Sequence, residues 1–398
     1  MTSHHDQSRL HVAIVHLAFE PAPTARDLLT RYAVLKEYST QLAAAPDLRI
    51  SVLGRFSRDE QFAADRVHWS FSADHETRLI AAPWTRPRAL FRQLAELQPD
   101  VVHVNGLIFP AQIRSLRWRL PATTALVVQH HGEQLTHRYV RFTPRATLHE
   151  VDGFMFTAAG IADEWRAAGR IAWHQPIFEV VEASSTFAPL RHMEARRSVG
   201  VYGNPAVLWV GRLHARKAPL LALEAFDRAR ASLSDPQLFM VYGSADLLPD
   251  IQAFCAQRPA LAKRVHLIGQ VRHPDLPRWY SAADVFITSS PAEGSNFALI
   301  ESLACGLLPV CSDIPAHRAI TGGEKAGVLF PSGHAALGAH ALVRAATRAA
   351  LEGADGRWQR RAHFNRVLSW PAIAREARRA YHAVAAVRAR PTTSSTWI

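Results

Sequence analysis

The feature of this sequence that most constrains its fold is a regular alternation of short apolar runs with longer amphipathic stretches. The runs at 101–104, 125–129 and 285–288 have the length of strands, and segments of helix length separate them from their neighbours. Strands that are apolar throughout are typical of parallel sheets covered by helices on both faces. Because 398 residues exceed what one core usually holds, we expect two α/β domains, each a doubly wound, Rossmann-like parallel sheet.

The alternation falters between about residues 180 and 204, where small residues, polar residues, Pro and Gly replace another apolar run. We therefore expect domains at 1–188 and 189–368, followed by a helix and tail at 369–398. Ligands of such sheets bind beyond the carboxyl ends of the strands. Two facing domains are therefore expected to leave an interdomain cleft between two sets of loops.

The positive charge is concentrated at the end of the chain. The net charge is +12, and residues 356–398 contain nine arginines and one glutamate. Such an end suits an anionic membrane surface, a nucleic acid or plain water. We expect no nucleic-acid partner, because no recognisable binding module accompanies the charge.

Other compositional features bound the location of the protein. There is no uninterrupted apolar run of membrane-spanning length, and the first residues do not resemble a secretion signal. Cys255, Cys305 and Cys311 are sparse and odd in number, which fits a reducing compartment without a disulfide framework. We expect a cytoplasmic protein, with contact at the inner face of the membrane left open.

The first stretch that points to chemistry is VLWVGRLHARKAPLLALEAF. An apolar run ends at Gly211, Arg212 follows, and Lys217 precedes a predicted helix. A glycine at a strand end permits close approach of the backbone to a ligand. Two cations beside a helix N-terminus favour an anion such as a diphosphate. The alternative is ordinary surface salt bridging, although a lysine is informative in a chain that has only four.

The second stretch is ADVFITSSPAEGSNFALIESLACGLLPVCSD. Glu293 precedes a loop whose backbone N–H groups can converge on one point, and Glu301 lies inside the following predicted helix. One carboxylate can accept hydrogen bonds from both vicinal hydroxyls of a ribose, and another can orient a sugar. The neighbours of Glu301 indicate a buried helix, in which a carboxylate without partners is costly. We therefore expect Glu301 to be functional.

Together, the Glu293-x7-Glu301 spacing, the GRLHARK segment and the run GLLPVCSDIPAHRAI resemble retaining glycosyltransferases of the GT-B fold. The resemblance is to glycosyltransferase family four, also called glycosyl transferases group one. It implies that Arg212 and Lys217 bind the donor diphosphate, Glu301 the ribose and Glu293 the transferred sugar. It further places other donor-site atoms on the backbone of Gly294, Ser295, Asn296 and Phe297, and near the base at Ile268.

The resemblance is thinner in the first half, which the family uses for the acceptor. The segment VVQHHGE is similar to the one carrying the family's histidine near the reacting carbon, which makes His131 a candidate. Packing or capping remains an equal alternative for this residue. The family's C-terminal helix, which packs back toward the N-terminal domain, resembles the segment around Trp370 and Tyr381. The chain departs from the family in HLAFEPAPTARD, EASSTF, KAP and YGSAD, which replace glycine-rich or Asn-Gly elements.

The resemblance implies transfer of a hexose-type sugar, with retention, from a nucleotide-diphosphate sugar such as a UDP- or GDP-sugar. The acceptor would be a glycan, a lipid-linked molecule or a small molecule. Without an Asp-x-Asp element or clustered His and Cys ligands, we expect neither metal nor cofactor. Three alternatives remain: a sugar-nucleotide epimerase of the same fold, a non-catalytic nucleotide- or glycan-binding relative, and a membrane-surface scaffold built on the basic end.

Overall fold

A computed structural model describes residues 9–389 and divides the chain into two compact units. The first comprises Met1–Ala183 together with Trp370–Ile398, and the second is Ser184–Ser369. The units therefore divide at 183/184 and 369/370, and the sequence had placed the domain boundaries at 188/189 and 368/369. The inferences from residues 1–8 and from the last residues of the basic end lie outside the described residues.

The first unit is built on one eight-stranded sheet. Its order is β3-β4-β2-β1-β5-β6-β7-β8. The strands are β1 (Leu10–Phe19), β2 (Leu48–Phe56), β3 (Glu60–Ala64), β4 (Val67–Ala73), β5 (Val101–Asn105), β6 (Ala125–Gln129), β7 (Gly153–Phe156) and β8 (Ile177–Glu179). All neighbours pair in parallel except β3 and β4. The predicted parallel sheet is confirmed, with one antiparallel pair at its edge, where β3 returns antiparallel to β4.

Helices cover both faces of this sheet. They are α1 (Ala25–Arg31), α2 (Ala33–Ala43), α3 (Arg88–Leu97), α4 (Pro110–Arg117), α5 (Arg138–Arg141) and α6 (Ala159–Ala167). Alternate strand residues face opposite sides, so Val12 and Ile14 join one core cluster while Ala13 and Val15 join the other. Helices α1 and α2 are separated at Tyr32, whose backbone (φ −97°, ψ 56°) is not helical.

The second unit has a six-stranded sheet that is parallel throughout. Its order is β11-β10-β9-β12-β13-β14. The strands are β9 (Ala206–Gly211), β10 (Gln237–Tyr242), β11 (Val265–Gly269), β12 (Val285–Thr288), β13 (Leu308–Asp313) and β14 (Val328–Pro331). Reversal of the strand order beside β9 is the arrangement of a doubly wound fold, and it places the loops after β9 and β12 next to each other.

The helices of the second unit enclose this sheet. They are α7 (His192–Val199), α8 (Pro219–Ala229), α9 (Leu248–Ala256), α10 (Pro259–Ala262), α11 (Leu276–Ala282), α12 (Phe297–Ala304), α13 (Pro315–Thr321) and α14 (Ala335–Val367). Helix α14 is kinked at Gly353, where φ is 52° and ψ is −132°. The last helix, α15 (Trp370–Ala389), belongs to the first unit and contributes Ile373, Tyr381 and Val384 to its core. Among the helices of residues 9–389, none is long and apolar enough to cross a membrane.

Candidate functional site

Two adjacent strands of the second unit deliver the predicted donor-site residues to one edge of the sheet. Val207 pairs with Val285 and Leu208 with Phe286, so β9 and β12 run side by side. Arg212 follows β9 directly, and its exposed side chain has no hydrogen bond or ion pair within residues 9–389. Its guanidinium is therefore available to a ligand.

The glycine before this arginine is constrained by close packing. A Cβ on Gly211 would lie 3.0 Å from the indole ring of Trp209, which is buried. The contact leaves little room for a side chain at the strand end. Glycine therefore lets the backbone pass close to the ring and frees the space above the edge of the sheet.

The loops after β9 and β12 are joined by an ion pair. Lys217 Nζ lies 2.6 Å from Glu293 Oε1, and the two side chains are 27% and 10% exposed. Beside it, the Ser289 hydroxyl donates to the Ala218 carbonyl over 2.7 Å. These contacts bring together the cation and the carboxylate that the sequence predicted for the diphosphate and the sugar.

Helix α12 begins in a buried polar network. The Asn296 side chain caps the helix by accepting from Leu299 N at 3.3 Å. Its amide nitrogen lies 3.1 Å from both Thr288 Oγ1 and His317 Nε2. Because His317 Nδ1 lies 2.8 Å from the Ser312 carbonyl, the neutral tautomer with a proton on Nδ1 satisfies every contact.

The rest of this loop frames the helix N-terminus. Gly294 and Ser295 are buried, whereas Phe297 is 45% exposed. Burial lowers the pKa of His317 to about 4, so the ring is neutral near pH 7. The neutral His317 ring therefore supports the loop at Asn296 through hydrogen bonds and adds no charge next to it.

Glu301 is buried and fully partnered inside the second unit. Its Oε1 lies 2.8 Å from His273 Nε2, and its Oε2 accepts from the Tyr280 hydroxyl at 2.8 Å. The hydrogen bond to Glu301 raises the pKa of His273, and burial raises that of Tyr280 well above its usual value. The argument that burial would leave Glu301 in need of a ligand is therefore wrong.

The contact with His273 also joins Glu301 to the loop after β11, the strand that was predicted to pass the nucleotide base. Ile268 is half-buried on β11, and His273 follows the end of that strand. The imidazole is 68% exposed while it holds the buried carboxylate. A ligand hydroxyl that reaches Glu301 therefore meets or displaces this ring first.

His131 lies in the first unit, after β6. Its Nδ1 is 2.8 Å from Glu182 Oε2, its Nε2 is 3.4 Å from Asn105 Oδ1, and its backbone N–H donates to Glu133. Desolvation disfavours the charged ring, but the nearby Glu182 and Glu133 carboxylates outweigh it and raise the pKa of His131. The imidazole is 34% exposed, so it is oriented by acids and still accessible.

Sequence reasoning missed four side chains that hold the candidate residues in place: His317, His273, Tyr280 and Glu182. His317 and His273 each follow a strand end, which is a usable signal in a parallel sheet. Tyr280 and Glu182 gave no signal, since only the fold brings them to Glu301 and His131. Within residues 9–389, no group of three or more His, Cys, Asp or Glu side chains is arranged to hold a metal ion.

Comparison with known sequences finds a family match within the second unit. Residues 204–348 match the family described as glycosyl transferases group 1. Over 136 residues the chain is 30% identical to UDP-Gal:alpha-D-GlcNAc-diphosphoundecaprenol alpha-1,3-galactosyltransferase of Escherichia coli, covering 34% of this chain and 35% of that protein. Over 125 residues it is 31% identical to D-inositol 3-phosphate glycosyltransferase of Mycobacterium sp. (strain KMS), covering 30% and 28%. The match thus spans about a third of the length of these relatives.

Comparison with solved structures extends over both units. Sucrose-phosphate synthase from Thermosynechococcus elongatus superimposes with a TM-score of 0.67 at 20% identity, covering 95% of this chain and 100% of that one. HepE of Anabaena in complex with UDP gives 0.65 at 13% identity, covering 94% and 100%. At these identities the likeness establishes the fold, which is GT-B.

Proposed function

We propose that this chain, which has the GT-B fold and whose residues 204–348 match the glycosyl transferases group 1 family, transfers a sugar from a nucleotide-diphosphate sugar. The transferred group is a hexose-type sugar and the donor a UDP- or GDP-sugar. The acceptor is a hydroxyl of a glycan, a lipid-linked molecule or a small molecule. The anomeric configuration is retained.

The observation that carries this proposal is the Lys217–Glu293 pair, which joins the loops after two adjacent strands, together with the unpaired Arg212 that directly follows β9. A diphosphate brings at least two negative charges, and Arg212 meets them with a planar fork of donors. Lys217 holds Glu293 through one carboxylate oxygen and leaves the other free to accept from a sugar hydroxyl. One ion pair thus sets the distance between the diphosphate and the sugar subsites.

In the proposed step, the bond between the anomeric carbon and the diphosphate oxygen breaks and the electron pair leaves with the diphosphate. The acceptor oxygen bonds to the same face of that carbon, and its proton passes to the departing diphosphate. The main catalytic demand is stabilisation of the growing negative charge. Arg212, Lys217 and the N–H groups at the start of α12 provide it, so the proposal requires neither metal nor cofactor.

The proposal gives the two carboxylates different tasks. Glu293 orients the sugar, because a carboxylate held by a lysine at 2.6 Å is a weak nucleophile. Glu301 binds the ribose hydroxyls, for which the exposed His273 ring must turn aside. His131, whose raised pKa favours the charged ring, donates a hydrogen bond near the reacting carbon.

The proposal is tested by thermal-shift screening with UDP, GDP and ADP, followed by turnover with the matching sugars. We expect stabilisation by one nucleotide and release of nucleoside diphosphate only when an acceptor is supplied. Lys217→Ala and Glu293→Gln are each expected to lower turnover at least about a hundredfold, since each removes an electrostatic contact made in the transition state. Far-UV circular dichroism establishes that both variants fold.

Arg228→Ala is the matched control, because it removes an exposed arginine that pairs with Glu224 on α8. It should retain the parental rate. Turnover at the parental rate in both site variants would refute the assignment of the site. Nucleotide binding without donor consumption would identify a binding protein, and nucleoside diphosphate released without an acceptor would identify an epimerase.

A further inference from the structure

The basic end of the chain is largely neutralised by the protein itself. Arginines of α14 and α15 form ion pairs with acidic residues: Arg360 with Glu352, Arg378 with Asp47, Arg379 with Glu376 and Arg388 with Asp152. The described part of this end therefore offers little free charge to a polyanion. Arg357 and Arg361, for which the described residues provide no ion pair, donate to backbone carbonyls instead.

Six arginines of the first unit form another group, in the loop before α3, on and after α4, at the end of α5 and beyond it, and after α6. Within residues 9–389, none of them forms an ion pair with a carboxylate: Arg86, Arg114, Arg119, Arg141, Arg145 and Arg170. Arg170 donates to the carbonyls of Thr143 and Arg141, so the loop after α6 lies along the loop after α5. The charges are thus gathered into one region.

Like charges are crowded within this region. Burial, and then the charge of Arg119, lower the pKa of Arg86. Burial, and then the charge of Arg145, lower the pKa of Arg170. Such crowding is unfavourable in the free protein and is relieved when an anion binds.

Large aromatic side chains project from the same region. Trp84 is 77% exposed, Trp118 64% and Phe142 80%. Arg86, Arg114 and Trp118 line a groove of about 210 Å³, and the Arg114 guanidinium lies 4.5 Å from the centre of the Trp118 ring. Exposed aromatics grouped in this way mark an interaction surface.

We propose that this arginine–aromatic face, formed by the six arginines with Trp84, Trp118 and Phe142, binds the surface of an anionic phospholipid bilayer. Arginines are attracted to anionic headgroups, and tryptophan is favoured at the boundary between headgroups and acyl chains. The groove lining contains three hydroxyls and no carboxylate or amide side chain to accept from sugar hydroxyls. A bilayer therefore fits this face better than a glycan does.

The test is co-sedimentation of the full chain with vesicles of phosphatidylcholine alone or mixed with phosphatidylglycerol. We expect binding only to the mixed vesicles, decreasing as salt is raised. The triple variant Arg114→Gln, Arg141→Gln, Arg145→Gln should bind roughly a hundredfold more weakly, at about fivefold for each arginine. Trp118→Ala should lower binding roughly tenfold, because burial of an aromatic ring is lost.

Each variant has a matched control. The triple variant Arg228→Gln, Arg344→Gln, Arg379→Gln removes the same charge from arginines that are 55%, 59% and 68% exposed and ion-paired. Trp358→Ala removes a tryptophan that is also 64% exposed, on α14. Both controls should sediment like the parent.

The proposal is overturned by absent binding, by equal binding to neutral vesicles, or by equal losses in test and control variants. Stronger binding to single-stranded RNA at the same salt, lost in the same variants, would instead identify a nucleic-acid surface. No donor or acceptor is present, so the outcome is independent of the proposed transferase activity.

Discussion

At the scale of single residues, the start of α8 contains a strained alanine. Ala218 has φ 44° and ψ 49°, a left-handed conformation that glycine adopts freely and alanine does not. It follows Lys217 and accepts a hydrogen bond from Ser289 through its carbonyl oxygen. The Lys217–Glu293 pair is therefore positioned by a backbone that costs free energy to maintain.

Replacing Ala218 by glycine is expected to raise the free energy of unfolding by about 1 kcal/mol, because the strain is relieved while the Ser289 contact remains. Equilibrium unfolding in urea measures the change. Ala336→Gly, at an exposed position in the first turn of α14, is the control and should lower stability by about 1 kcal/mol or less. A stability of Ala218→Gly at or below the parental value would contradict this account.

At the scale of elements, α12 illustrates how a short sequence fixes both ends of a helix. Asn296 caps the start of the helix, and Gly306, with φ 73°, follows its end. Glycine is required at this position because a Cβ would lie 2.6 Å from the Arg357 carbonyl oxygen. The structure confirms the helix that the sequence predicts around Glu301. The Asn296 cap and the hydrogen bonds between Asn296 and His317 orient the N–H groups at the start of this helix.

Helix α15 is attached to the first unit by a buried polar contact. The Tyr381 hydroxyl lies 2.8 Å from the Tyr38 hydroxyl on α2 and 2.7 Å from His103 Nδ1 on β5. All three side chains are buried. This helix is therefore held by polar groups that have no access to water, in addition to its apolar packing.

Tyr381→Phe is expected to lower the free energy of unfolding by about 2 kcal/mol, since it leaves buried polar groups of Tyr38 and His103 unsatisfied. Urea unfolding measures it, and a double-mutant cycle with Tyr38→Phe should show that the two losses are not additive. Tyr202→Phe, at a side chain that is 52% exposed, is the control and should change little. Equal effects of the two substitutions would mean that the buried contact contributes no stability.

At the scale of the whole molecule, the sequence predicted those features of the fold that follow from local patterns of apolar and polar residues. The apolar runs located β6 and β12 correctly, and the two parallel-sheet units follow from their alternation with helices. Strand β3 was not predicted because its sequence, EQFAA, is short, begins with two polar residues and lies at an edge. Helix α14 was not predicted, because the apolar residues of its 33-residue sequence do not form one continuous helical period.

In the candidate site, too, some residues could be predicted from local sequence and others depend on tertiary packing. Arg212, Lys217 and Glu293 were predicted from their places after strands, and the structure brings Lys217 and Glu293 into contact. The partners of Glu301 and His131 come from segments distant in sequence, and only tertiary packing places them. The basic end, which stands out by its charge, is largely ion-paired within the protein, and the six arginines of the arginine–aromatic face lie far from it along the chain.

Buried histidines give the whole molecule a predictable dependence on pH. Burial lowers the pKa of His16 to about 4, that of His103 to about 3 and that of His317 to about 4. His16 and His103 also face the charge of His131, and His317 faces Lys217. Below the ordinary value of about 6.5 the unfolded chain therefore binds protons that the folded protein does not.

Stability is consequently expected to fall as pH decreases from about 6.5 to about 4, by roughly 1.4 kcal/mol per pH unit for each histidine. His131 and His273, with raised pKa values, act in a different window: the stability they add is lost as pH rises through their folded values. Urea unfolding at pH 7 and pH 5 measures the difference. His103→Gln should reduce this dependence by about one histidine's share, while His75→Gln, at an exposed position, should not. An unchanged pH dependence in His103→Gln would show that burial does not hold this ring neutral in the folded protein.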